Sequence, residues 1–228
     1  MAPETRSQYQ EELERLEASA LDGLNLVSSA LQRTLEAVEH QDVELAQLVV
    51  ADDDRIDGRY LEVHQSLITL LATQSPVATD LRLISALLHV LKNVERMGDQ
   101  CVNVCKVIPL TGNEPPADRE MVALILGMGK QTRALISQAK RAFAERDIEM
   151  ARDLVRQDDF VDDLNRDCFR LALEIGDDAD KREWAMTMLL AARAIERIAD
   201  NAMDIGEQVA FVVTGLFREF EDASHPTA

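Results

Sequence analysis

The two halves of this chain repeat one another, and that repeat limits the fold more than any other feature. Glu95-Arg96-Met97-Gly98-Asp99 returns as Glu196-Arg197-Ile198-Ala199-Asp200, 101 residues later. Upstream, Asp42-Val43-Glu44-Leu45-Ala46 returns as Asp147-Ile148-Glu149-Met150-Ala151 at an offset of 105, where Asp53 and Asp57 also match Asp158 and Asp162. Self-similarity on this scale means one supersecondary unit, copied and packed against itself. The four-residue difference between the offsets is expected in the turn before each unit's third helix, longer in the first half.

Each unit reads as helical. Leu21, Leu24, Val27, Leu31, Leu35 and Val38 step by threes and fours, as do Ile84, Leu87, Leu88, Leu91 and Val94. The second half does the same through Met121, Leu124, Ile125, Met128 and Leu135, and again from Trp184 to Val209. That period puts the apolar residues on one helical face, and no stretch shows the period of two that a strand needs. Aromatic residues at 4% and nine glycines are poor sheet material as well.

Short turns at His40 to Asp42, Ser75-Pro76, Glu145 to Asp147 and Gly176 to Asp180 cut the pattern into six helices. Short connections favour antiparallel neighbours. The expected fold is therefore all-α, two tandem antiparallel three-helix bundles. Its parts are a polar tail and start of the first helix over 1–17, a bundle over 18–108, a linker over 109–119, a second bundle over 120–217 and a tail over 218–228.

Charge narrows the partners. Acidic residues outnumber basic ones 42 to 24, a net charge of −18, which repels nucleic acid and anionic lipid and attracts cations. The opening residues carry no signal peptide and the apolar runs are too short to span a bilayer, so no membrane insertion and a cytoplasmic location are expected. Cys101, Cys105 and Cys168 form no CxxC and read as buried thiols in a reducing compartment.

The carboxylates are the candidate chemistry. Glu95 with Asp99, Glu196 with Asp200, Asp53 with Asp57 and Asp158 with Asp162 are each four apart, on one helix face. Like charges at that spacing cost a few tenths of a kcal/mol per pair. Antiparallel pairing about a turn centred on Pro76 brings 53 level with 99 and 57 level with 95; pairing about Ala179 does the same for 158 with 200 and 162 with 196. Each hairpin thereby stacks four carboxylates, an oxygen donor set suited to iron(III), manganese, magnesium or calcium, with zinc also compatible. An acidic solvated face, damped by Arg96, Arg193 and Arg197, fits the same spacing equally well. His64, His89, Asn103 and Asp204 are weaker candidates, and Asp52, Asp54, Asp159 and Asp163 fall on neighbouring, solvated faces. No phosphate-binding loop or nucleophile–base set is present.

The duplicated Glu-Arg-x-x-Asp segments, with Asn103 and the Asp80-Leu81-Arg82 after the Ser-Pro turn, resemble the signature of the PhoU family over nearly the whole chain. The resemblance implies a negative regulator of phosphate uptake and starvation signalling. Its expected partners are a phosphate ABC transporter, a membrane sensor kinase and a second copy in a homodimer. It also implies metal clusters, of iron or zinc in some members, on Asp53, Asp57, Glu95, Asp99, Asp158, Asp162, Glu196 and Asp200. Two alternatives stand beside it: a ferritin-like di-metal enzyme and a metal-free helical adaptor. The enzyme needs Glu three residues before His, and positions 37, 61, 86 and 222 hold Ala, Leu, Ala and Asp, so no enzyme is expected.

Overall fold

The computed structural model describes residues 3–111, 117–217 and 220, and among these it is helical without a strand. The helices are α1 (Pro3–His40), α2 (Val43–Asp52), α3 (Asp54–Thr73), α4 (Ala78–Val107), α5 (Arg119–Glu145), α6 (Ile148–Ile175) and α7 (Arg182–Thr214), with a 3-10 turn at Ile108–Thr111. The first bundle is α1, α2–α3 and α4; the second is α5, α6 and α7. The expected tandem bundles are present, with two differences inside them.

The second helix of the first unit is broken at Asp53, whereas its counterpart α6 runs unbroken. Asp53 keeps helical dihedrals, but its carbonyl accepts from both Ile56 and Asp57, a tightened turn within the Asp52-Asp53-Asp54 run. The turn into the third helix is also not the longer one in the first half. It spans 74–77 there and 176–181 in the second, and the extra residues lie in α3 and α4, which extend further past the acidic level. Pro76, next to the α4 entry, closes the first turn tightly.

The repeat extends to the caps. Gln41 and Arg146, 105 apart, both adopt left-handed φ (49° and 57°) and end α1 and α5. The next residues, Asp42 and Asp147, donate their N–H to Ala37 and Ala142 and cap α2 and α6 by accepting from Leu45 and Met150 at 2.9 Å. Each carboxylate satisfies an orphan donor of the new helix.

One continuous apolar core joins the bundles. α7 supplies buried Ala185, Ala191, Ala192, Ala194, Ala199 and Ala202, small residues that let it approach α4 and α6 closely. α1 meets α5 at Gly129, where Leu35 occupies the space a side chain would need. Polar contacts line that seam: Arg133 donates to Gln32 at 3.0 Å, Lys140 to Asn25 at 2.9 Å, and Arg146 pairs with Glu17 at 2.7 Å. Within the expected tail and helix start over 1–17, residues 3–17 are helical. α1 starts at Pro3, and Tyr9, Leu13 and Leu16 are buried in the core. Residues 112–116 of the linker and 218–219 and 221–228 of the C-terminal tail lie outside the described residues.

All three cysteines are buried free thiols. No described helix is long and apolar enough to cross a membrane.

Candidate metal centre

Acids on the facing helices of each hairpin feel one another's charge. In the first half, Asp53 sits at the α2–α3 joint, facing α4. A side chain at Gly98 would place its Cβ 2.8 Å from Asp53 Oδ1, so the glycine leaves room for that carboxylate. Burial, then the negative fields of Asp57, Asp99, Asp54 and Glu95, push Asp53 up to about 6. Burial followed by Glu95 and Asp57 raises Asp99 as well. Through these fields Asp53 and Asp99 each feel Asp57 and Glu95.

The second hairpin is drier. Asp158 and Glu196 are buried, whereas their counterparts Asp53 and Glu95 are half-exposed. Burial first, then Asp200 and more weakly Asp162, push Glu196 up to about 7 against the pull of Arg193 and Arg197. Its Oε2 is buried without a hydrogen-bond partner among the described residues. A buried carboxylate oxygen left so is costly unless protonated or met by a cation. Ala199 stands where the first half has Gly98. In both halves the acids grade outward, since Asp99 and Asp200 are exposed, as is Asp57, while Asp162 is half-buried.

Each tetrad is held by a basic residue three positions before its glutamate. Lys92 donates to Glu95 at 2.5 Å, and Arg193, 101 residues later, donates to Glu196. Arg193 is among the damping arginines expected from the sequence; Lys92 is not, although the shared offset marks it. Arg166 adds a looser contact to Asp162 at 3.8 Å. No three His, Cys, Asp or Glu side chains among the described residues are grouped so as to hold a metal ion. The donor chemistry, the crowding of like charges and the orphaned Glu196 oxygen fit a hard cation.

The weaker candidates have contacts of their own. His64 packs at a tilt against Tyr60 with ring centroids 5.4 Å apart. His89 is exposed and bonds the Ser85 carbonyl of its own helix at 2.9 Å. Asn103 donates to Gln100, and Asp204 is exposed. Of the neighbouring-face acids, Asp52 is half-buried and pairs with Arg33 at 2.5 Å, while Asp163 pairs with Arg166.

The shifted acids give a pH dependence with a definite sign. Asp53, Asp99 and Glu196 have folded pKa values raised above their unfolded ones. Between about pH 4 and pH 7 the native state thus binds more protons than the unfolded state, and stability falls as pH rises. Asp52, Asp153 and Glu12, lowered by hydrogen bonds to neighbouring side chains, act oppositely, their contribution being lost as pH falls below about 4. Thermal melts in chelator should therefore show the highest Tm near pH 5 and a decline towards pH 8, with Glu196→Gln flattening the decline. A Tm that holds level or climbs from pH 5 to pH 8 would refute the crowding.

An all-α chain of two tandem three-helix bundles has counterparts among known proteins. The PhoU domain family model matches residues 22–108 and again 125–209. A "Phosphate-specific transport system accessory protein PhoU homolog" of Clostridium acetobutylicum is 30% identical over 220 residues, 96% of this chain and 100% of that protein. A homologue of the same designation from Mycobacterium tuberculosis is 29% identical over 218 residues, 93% of this chain and 99% of that one. The crystal structure of PhoU from Pseudomonas aeruginosa superposes with a TM-score of 0.85 at 27% identity, covering 91% of this chain and 100% of that one. The phosphate transport system regulatory protein PhoU from Streptococcus pneumoniae gives 0.81 at 25% identity, covering 92% and 99%. This chain belongs to the PhoU family.

Proposed function

We propose that this chain is a cytoplasmic regulator that restrains phosphate uptake and damps phosphate-starvation signalling, acting with a phosphate ABC transporter and a membrane sensor kinase. The observation that carries the reading is the match over nearly the full length to relatives named as accessory and regulatory proteins of phosphate transport. Those names also support a role without catalysis. A net charge of −18 favours protein partners and cations over nucleic acid.

The reading includes metal. One ion site would be held by Asp53, Asp57, Glu95 and Asp99, and the other by Asp158, Asp162, Glu196 and Asp200, with iron, zinc, manganese or magnesium as the candidate ions. A bound cation supplies the positive charge that cancels repulsion among the carboxylates. The chain's part is to hold the acids level, keep the inner ones dry and release Glu95 and Glu196 from Lys92 and Arg193. Binding of this kind rigidifies each hairpin and gives the two bundles a state a partner can sense. A homodimer belongs to the same proposal.

Deleting the gene tests the regulatory role. In phosphate-rich medium the deletion strain should take up phosphate without restraint or keep its starvation genes expressed, and the cloned chain should reverse this. Uptake and expression unchanged in a strain with no second copy would leave only the structural adaptor.

A further inference from the structure

The outer face of the α6–α7 hairpin holds a cleft of about 780 Å³, lined by Arg166, Phe169, Arg170, Leu189 and Arg193 together with Asn165. No acid lines it, in a chain where acids outnumber bases 42 to 24. Phe169, 57% exposed, gives the cleft an aromatic wall beside the arginines. The combination belongs to one half only. At the repeat-equivalent positions of Arg166, Phe169 and Arg170 the first half carries Leu61, His64 and Gln65. Two units that share a core and a cap geometry have diverged here on a surface the core does not need.

We propose that this cleft binds an anionic amphiphile, an aromatic or aliphatic body bearing a carboxylate, phosphate or sulfonate, and that it shares its third arginine with the second acidic tetrad. A bare inorganic anion would leave Phe169 and Leu189 wet, and a neutral apolar molecule would use none of the guanidinium N–H donors left over from those residues' own ion pairs. Guanidinium forks match such acid groups two bonds at a time, and the volume lies in the range of small-molecule sites. Each arginine is held in place from below by its own helix: Arg166 by Asp163 at 2.5 Å, Arg170 by Asp167 through Nη2, and Arg193 by Glu196 through Nη1. A guanidinium has five donors, so one carboxylate contact positions it without exhausting it. Arg193 makes the closer of the cleft's two links to the tetrad, bonding Glu196 directly where Arg166 reaches Asp162 only at 3.8 Å. What draws Arg193 away from the cleft lowers its affinity, and what frees it raises it, a coupling that is reciprocal.

Titration of the full chain, in chelator, with anilinonaphthalene sulfonate tests both parts without involving metal. The expected result is a saturable fluorescence rise at one site per chain. Arg170→Glu and Phe169→Ala should each weaken it by about tenfold, on the scale of one lost charge-assisted hydrogen bond or ring contact, with helix content and Tm unchanged. Glu196→Gln should tighten it severalfold by releasing Arg193. Binding indifferent to Arg170→Glu and Phe169→Ala, or Glu196→Gln leaving affinity where it was, would overturn the proposal. So would retention on phosphatidylglycerol vesicles with no binding of the soluble probe, which would make the face a membrane contact.

Discussion

Replacing Gly129 by leucine should force the α1–α5 seam apart locally and cost about 3 kcal/mol, the upper end of the overpacking range. A Cβ at this position would lie 2.3 and 2.4 Å from the two methyl carbons of Leu35, closer than packed atoms approach. Leu35 is itself buried and has nowhere to retreat, because α1 and α5 meet at this point. For a chain of this size the loss corresponds to a fall in Tm of about 6–12 °C. Gly127→Ala is the control. Its Cβ would rest at an ordinary 3.6 Å from Leu164, and the better helix propensity of alanine should leave Tm level or slightly higher. Adding Leu35→Ala to Gly129→Leu should restore much of the loss. If Gly129→Leu melts like the parent, the α1–α5 seam is not the tight contact described.

That seam illustrates what periodicity does not carry. The apolar phase of α1, α4 and α5 predicts which face is buried, and the repeat predicts which residues stand level. Neither says which glycine meets which leucine across two bundles, since that depends on helix crossings far apart in sequence. The acidic tetrads are an expectation drawn from two independent patterns, the four-residue spacing and the hairpin register, which converge on the same eight positions. The break at Asp53 was not legible, because Ala51 to Asp54 holds no glycine or proline to announce it. The turn lengths misled for a related reason: an offset counts residues between motifs and is blind to whether they lie in helix or loop. The arginine cleft was hidden by its own helix, where Arg166 and Arg170 follow Asp163 and Asp167 at a spacing that reads as ordinary surface pairing.

Chelation should lower the melting temperature, and added manganese, iron, zinc or magnesium should restore it. An ion that binds the folded hairpins and hardly the unfolded chain stabilises by RT ln(1 + [L]/Kd), about 2.7 kcal/mol at a hundredfold excess over Kd. That is a shift of about 5–11 °C for a chain of this size. Asp57→Asn with Glu95→Gln should abolish the response of the first hairpin and spare the second. Because the double change also removes like-charge repulsion around Asp53 and Asp99, the variant should melt no lower than the metal-free parent. The two sites should not respond alike: the second has the drier Asp158 and Glu196, so its ion should be held more tightly and released more slowly.

Metal content measured on the full chain, purified without chelator and then reloaded with iron, manganese, zinc or magnesium, puts the claim that the repeated acids form cation sites to its most direct test. Stoichiometric metal in the parent, reduced by Asp57→Asn with Glu95→Gln and reduced further when Asp162→Asn with Glu196→Gln is added, is the predicted result. Protein that carries no metal, takes up none on reloading and binds the same trace amounts with all four acids neutralised would contradict it, leaving the tetrads as solvated faces of two helical bundles.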